Sequence, residues 1–313
     1  MSDLKTMRDT LITQVHNQMK TDEKIFFLSA DMGSPALDKI RQDFSNRFVN
    51  VGIAEQNLIA IAAGLAMEGY TVYTLAIAPF YLRALEQIRN NLSIAAAFRD
   101  LNVNMLGVGG GISYDISGPS HHALDDIGAM QTQPNVAIVS PADWQCAQQF
   151  PDFAATAPYP KYVRLDGKGH APIPGLAQQL HWQQGFCEIV PGSHTALITT
   201  GFTSQKGHRL IQQLADESIG MIDLFQLGRE LDGKALAQCL GKYERWVTLH
   251  EGFLGCGSLD TVLDQLKQNH GLQAEVNHLG FPHVHQFVFA PREELHRRNG
   301  MGEERVKALL KSR

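Results

Sequence analysis

The chain has 313 residues, 44% of them apolar and 19% charged, with a net charge of −5. That length suggests two globular domains, and the slight acidity offers no basic patch, so nucleic acid is not an expected partner. No charge-free apolar run approaches the ~18 residues of a membrane span, so a membrane is not expected either.

The opening residues, "MSDLKTMRDTLITQ", lack a positive n-region followed by an apolar h-region, and a secretory signal is not expected. Cys146, Cys187, Cys239 and Cys256 lie far apart with no C-x-x-C pair. That spacing fits free thiols in a reducing cytoplasm better than a zinc site or a redox motif.

Leu4, Met7, Leu11, Val15 and Met19 recur at roughly helical spacing and predict an amphipathic helix over 4–20. "KIFFLSAD" reads as a buried strand ending in the polar loop "ADMGSPALDK". "RFVNVGIAE" reads as a second strand, and "VGIAEQNLIAIAAGLAMEG" (51–69) supplies the helix after it, with Glu55 at the mouth of its apolar run. "YTVYTLAIA" is a strand, "FYLRALEQIRNNLSIAAAF" a helix, and "LNVNMLGVGGG" a strand ending in Gly109–Gly111. "VAIVSPAD" is a strand followed by a helix from Trp144. The rhythm breaks over 168–185, where Pro172, Pro174 and Gly175 mark a linker. It resumes with "TALITTGF", a helix from Thr203, "IGMIDLF", a helix near 233–241, "WVTLHEGF" and a helix from Ser258. Near-continuous apolar strands alternating with helices predict an α/β fold of two consecutive domains, each a mostly parallel sheet flanked by helices. The expected boundaries are 1–170 and 186–313, with a linker over 171–185.

In open α/β sheets ligands sit at the carboxyl ends of the strands. Asp31, Glu55, Phe80 to Arg83 and Gly109–Gly111 all follow predicted strands. Glu55 admits two readings: a carboxylate favoured by a helix N-terminus, or a buried group that hydrogen-bonds a ligand. In "GPSHHALDD", His121 and His122 are adjacent and cannot readily converge on one zinc ion. On an exposed turn an imidazole there can serve as a donor or proton shuttle. Among Arg8, Arg83 and Arg164, Arg164 ends an apolar strand in "YPKYVRLDG". That placement suits bidentate recognition of a phosphate or carboxylate. The glycines at 109–111 match neither a P-loop nor a dinucleotide fingerprint.

Taken together, "VGIAEQNLIAIAAGLAMEGY", "APFYLRALEQI", "SGPSHHALDDIGAM…PNVAIVSPAD" and "YVRLDG" resemble the pyrimidine-binding domain of transketolase-like thiamine diphosphate enzymes. "ALITTG", "IGMIDLFQL" and "WVTLHEGFLGCGS" resemble the C-terminal domain of the same family, and the resemblance runs in order over nearly the whole chain. It implies that Glu55 hydrogen-bonds the N1′ nitrogen of the cofactor's aminopyrimidine and favours the imino tautomer that takes the proton from C2. Phe80 matches the aromatic that stacks on that ring, and Arg83 a position near cofactor or substrate. His121 matches the histidine that contacts substrate hydroxyls and moves protons. Arg8 and Arg164 match phosphate-binding arginines. Asp31 and Ser34 lie in a loop resembling an interface segment of the family, Asp31 on the cofactor side and Ser34 on the substrate side.

The departures carry information too. Ser117 stands where the family usually has an aspartate that reads a substrate hydroxyl, and Gly109–Gly111 stand where an upstream histidine is usual. A site lacking those partners discriminates less for polyhydroxylated sugars, which points to a modified, branched or deoxy sugar. No "GDG" segment for diphosphate and Mg²⁺ occurs in the chain. The resemblance therefore implies a separate N-terminal diphosphate-binding subunit that holds Mg²⁺, an α₂β₂ assembly, and transfer of a two-carbon ketol unit from a ketose (phosphate) to an aldose. Two other readings stay open. One is a decarboxylating relative, like 1-deoxyxylulose-5-phosphate synthase or the β subunit of a 2-oxo acid dehydrogenase. The other is a non-catalytic interaction subunit.

Overall fold

The computed structural model describes residues 4–312. The first half runs β1 (Lys5–Thr6), α1 (Met7–Met19), β2 (Ile25–Ser29), α2 (Pro35–Asp43), β3 (Phe48–Asn50), α3 (Glu55–Met67) and β4 (Thr71–Ile77). A helical stretch over 78–97 follows, built of 3₁₀ turns, the short α4 (Leu85–Gln87) and a π segment over Ile88–Ile94. Then come β5 (Val103–Val108), α5 (Asp126–Gln131), β6 (Ala137–Val139), α6 (Trp144–Thr156), β7 (Lys161–Leu165) and β8 (Gly169–His170). The second half runs β9 (Phe186–Val190), β10 (Thr195–Thr199), α7 (Phe202–Leu214), β11 (Ile219–Leu224), β12 (Gln226–Leu227), α8 (Gly233–Leu240), β13 (Arg245–Phe253), α9 (Leu259–His270), β14 (Glu275–Phe281), α10 (Arg292–Arg298) and α11 (Glu303–Lys311).

Two mostly parallel sheets result, as the alternating pattern predicts. The first has the order β12-β6-β7-β5-β4-β2-β3 and the second β14-β13-β10-β11-β9; only the edge strands β12 and β9 pair antiparallel. In the first sheet β2 leads to β3 on one side while β4 leads to β5 on the other. The order reverses between β2 and β4, and at such a switch point the loops part to leave a crevice.

The helices bury the faces their sequences offer. In α1, Thr6 caps the N-terminus through a bond from Asp9 N, while Leu11, Ile12, Val15 and Met19 pack under one face of the first sheet with Phe27, Tyr73 and Phe150. In α3, Leu58, Ile59, Ala62 and Ala66 cover the other face. That second cluster continues through Ile138 and Tyr162 into Phe186, Ile198 and Ile222 of the second sheet and Leu236 of α8, so the two sheets share one apolar core. Each fully buried Leu or Ile there contributes about 1.5–3 kcal/mol.

Several expectations need correction. The first helix begins at Met7 rather than residue 4, because Lys5–Thr6 pair antiparallel with Gly169–His170. The second strand is only Phe48–Asn50 and half-exposed, since it forms the sheet edge. Residues 80–98 are helical but not one α-helix. The stretch after 170 is packed rather than free: Ile173, Leu176 and Ala177 are buried against Ala142, Cys146 and Phe225. The loop "ADMGSPALDK" is helical from Pro35, where α2 begins behind its Ser34 cap, and α5, β8, β9, β12, β14, α10 and α11 have no counterpart in the sequence reading. All four cysteines are free thiols, and no helix among the described residues is long and apolar enough to cross a membrane.

Candidate active site

Glu55 opens α3 directly after a loop from the edge strand, and Ala54 provides no side-chain cap. Its side chain is only 2% exposed, and its Oε2 accepts no hydrogen bond. Arg83 Nη1 lies 3.2 Å from that oxygen, off the line of a hydrogen bond, on a side chain that is 61% exposed. A carboxylate placed to stabilise a helix terminus would face water or the helix's own amides. This one is buried with an oxygen left over, which most buried polar atoms are not.

Arg83 and Phe80 share the 3₁₀ turn that follows β4. The turn is fixed by Tyr81, fully buried beside them, whose hydroxyl bonds Thr74 Oγ1 at 2.8 Å. Burial pushes the Tyr81 hydroxyl well above the usual tyrosine range, and the Glu55 charge adds to the effect. Phe80 is half-buried, and its ring meets that of His121 edge-on with centroids 5.5 Å apart. Tyr114 also meets the His121 ring edge-on, at 6.3 Å. The His121 Nδ1 lies 3.0 Å from Ser120 Oγ. His122 points inward instead: its Nε2 bonds the Asp115 carbonyl at 3.1 Å, and burial lowers its pKa.

Tyr114 lies over the glycine-rich strand end. A Cβ at Gly109, which has φ +90°, would strike its ring, and a Cβ at Gly167 would press on it from the other side. Burial raises the pKa of the Tyr114 hydroxyl, and Arg8 opposes that shift. Contacts thus run from Glu55 through Arg83, Phe80, His121 and Tyr114 toward Arg8, along the carboxyl ends of β3, β4, β5 and β7.

Other residues expected at this site sit differently. Arg164 is 5% exposed: Nε bonds Asp126 Oδ2 at 2.8 Å, and Nη2 bonds the carbonyls of Ala123 and Glu251 at 2.7 Å each. It joins the two sheets, and it also lines a small cavity with Gly110, Ser140 and Thr200. Its strand-end position was legible in the sequence, but not the direction in which β7 faces. Ser34 caps α2, its Oγ accepting from Leu37 N at 3.1 Å. Arg8 makes two bonds to Asp9, at 2.9 and 3.2 Å. Burial raises the Asp9 carboxyl, but bonds from Arg8, Thr6 and Ser34 bring it net below its usual value. Asp31, exposed and at φ +53°, exchanges hydrogen bonds with Asn50 across the ends of β2 and β3. Ser117 is exposed at the end of a single 3₁₀ turn. Among the described residues, no group of three or more His, Cys, Asp or Glu side chains could hold a metal ion.

The sequence reading missed Tyr114, Asp115, Lys168, Glu251 and Arg292. Asp115 Oδ2 receives Lys168 Nζ at 2.6 Å and the backbone amide of Arg292 at 2.8 Å. The Glu251 carboxylate is gripped by Arg292 Nε and Nη2, both at 2.6 Å. The one available signal was a lone acid inside the apolar strand "WVTLHEGF".

Comparisons with known proteins agree with this architecture. The family described as "Transketolase, pyrimidine binding domain" matches residues 5–167, and "Transketolase, C-terminal domain" matches residues 187–306. The chain is similar to one of the subunits of the apulose-4-phosphate transketolase of Phocaeicola vulgatus, at 29% identity over 85% of this chain and 83% of that protein. It is also similar to the corresponding apulose-4-phosphate transketolase subunit of Actinobacillus succinogenes, at 26% identity over 100% of this chain and 99% of that protein. Among solved structures, a split gene transketolase described as an inactive beta4 tetramer superposes with a TM-score of 0.85 at 24% identity, covering 97% of each chain.

Proposed function

The chain belongs to the transketolase family, and on that premise we propose that it is the C-terminal (beta) subunit of a split thiamine diphosphate-dependent transketolase. It would carry a two-carbon ketol unit from a ketose phosphate to an aldose. The single observation that carries the reading is the buried Glu55 Oε2 at the carboxyl edge of the first sheet, which accepts no hydrogen bond. A ring N–H of an aminopyrimidine fits that acceptor, and burial makes the bond count for more than it would in water. Thiamine diphosphate, when bound, supplies the nucleophile and electron sink for breaking the carbon–carbon bond next to a carbonyl.

This chain's residues would bind and orient. Glu55 holds the pyrimidine ring and fixes its tautomer. Phe80 walls the ring, and His121, in contact with Phe80 and Tyr114, bonds substrate hydroxyls and moves a proton. Arg83, the most exposed of these charges, takes the anionic end of substrate or cofactor. Arg8 reaches a phosphate only by loosening its bonds to Asp9. We assign 1–170 to the pyrimidine-binding domain, 171–185 to the linker and 186–313 to the C-terminal domain.

The diphosphate and Mg²⁺ would be held by a separate N-terminal subunit, in an α₂β₂ assembly in the cytoplasm. Exposed apolar side chains on the site's own segments support a protein partner: Ile53 beside the Glu55 loop, Ile116 on the histidine loop, and Phe287 and Phe289 on the segment that lies against Gly118. The names of the two relatives make apulose-4-phosphate the first substrate to offer.

The test is co-expression with the diphosphate-binding subunit, calorimetry with thiamine diphosphate and Mg²⁺, and product analysis. The expected result is cofactor binding by the pair and not by this chain alone, with ketol transfer and no CO₂. Tight binding by the chain alone would overturn the split-site reading, and CO₂ release from pyruvate would replace it with the decarboxylating one.

A further inference from the structure

Residues 112–122, which carry His121, form a loop whose ends meet. Gly110 and Gly111 both pair with Ala123, and Ala123 N donates to Gly111 O at 2.7 Å. Glu251 of the second sheet reaches the first end directly and the second through Arg164. At the first end, Glu251 Oε2 accepts from the backbone amide of Ile112 at 3.1 Å. At the second, the Glu251 and Ala123 carbonyls accept from the same nitrogen, Arg164 Nη2. The carboxylate is fixed in turn by the Arg292 fork and by His296 Nε2 at 2.6 Å. Arg292 also pins the middle of the loop, through its backbone amide to Asp115 Oδ2. Gly111 has φ +64°, and a Cβ there would run into the Glu251 carboxylate, so backbone and carboxylate are in direct apposition.

We propose that Glu251 is a positioning residue for the candidate active site, through which the second domain sets the loop that presents His121. The proposal rests on the transketolase reading. An ion pair this deeply buried is an inefficient way to add stability, since apolar side chains of similar volume commonly do as well or better. What it adds is direction: a carboxylate with two oxygens can hold an arginine fork and a loop amide in one fixed geometry. A reacting group displaced by about 1 Å can cost on the order of 10²-fold in rate.

The experiment uses Glu251→Gln, first in this chain and then in the two-subunit enzyme. Hydrogen exchange of the chain is expected to speed up by about tenfold or more in residues 109–123, with α3 and β4 unchanged. In the assembled enzyme kcat/KM should fall by about 10²-fold while the affinity for thiamine diphosphate stays as in the wild type. Unchanged exchange in 109–123, or acceleration spread evenly over the second domain, would overturn the proposal. If Glu251→Gln does not fold, Glu251→Asp, which keeps the charge but draws the carboxylate back from the Ile112 amide, is read the same way, with a smaller local acceleration expected. If the wild-type pair shows no ketol transfer, it is the functional reading that fails, and the exchange data still decide whether Glu251 holds the loop.

Discussion

Arg83 Nη1 stands 3.2 Å from Glu55 Oε2, near enough for charge attraction yet not hydrogen-bonded to it. The arginine is mostly in water and the carboxylate is not, so the attraction is screened on one side while the desolvation of Glu55 is nearly complete. A group left in that state by an otherwise well-satisfied core is under-used by the fold itself, and such local costs cluster at functional sites.

Glu55→Gln is therefore expected to separate activity from stability. Turnover by the two-subunit enzyme should drop by at least about 10²-fold, because the proton-handling acceptor is gone. The melting temperature of the chain alone should stay level or rise, since a neutral amide is cheaper to bury than a carboxylate. Full activity in the variant would remove Glu55 from the mechanism.

Arg164→Ala should act in the opposite way. Removing a buried cation that bonds Asp126 and two carbonyls leaves those groups unpaired, at a cost of about 3–5 kcal/mol. Denaturant unfolding reads this directly. A variant of normal stability with a raised KM for phosphorylated substrate would instead assign Arg164 the phosphate-binding role.

Tyr114 fills space over Gly109 and Gly167 beside His121. Tyr114→Ala should open that space and lose the packing on the imidazole, raising KM for the preferred sugar and narrowing its advantage over ordinary pentose phosphates. Tyr114→Phe, which keeps the ring, should stay within about threefold of wild type, a change of under 1 kcal/mol. Competition kinetics between two sugars gives the comparison.

Asp223 supplies a pH test of the second domain. Burial pushes its carboxyl from 3.8 up to about 8, against a hydrogen bond from Ser204 at 2.5 Å that lowers it. The folded protein thus binds a proton that the unfolded chain releases above about pH 4. This contribution is fully present below pH 4 and is lost as pH rises toward 8, at about 1.4 kcal/mol per pH unit. Asp223→Asn mimics the protonated form, so its stability advantage over wild type should grow between pH 4 and 8 and level off beyond. An advantage independent of pH would show that Asp223 is ionised in the fold at all these values.

The order of residues along the chain was enough for the α/β class, most of the strands of both sheets and the places where their carboxyl ends deliver Glu55, Phe80, Arg83 and His121. Those follow from local rules: apolar runs bounded by turn residues make buried parallel strands, and ligand loops lie at one edge of such sheets. The motif around Glu55 also carried a family likeness. The remainder came from packing in three dimensions. Arg164 ends a strand just as Arg83 follows one, yet one is buried beside Asp126 and Glu251 and the other stands in water, because β7 is an interior strand. Ser34 read as part of a polar loop, yet α2 begins immediately after it and takes its hydroxyl as a cap. Glu251 lies 139 positions from the amide it holds, and no periodicity reaches that far: a contact between domains is fixed by how two sheets pack, which neither strand encodes alone.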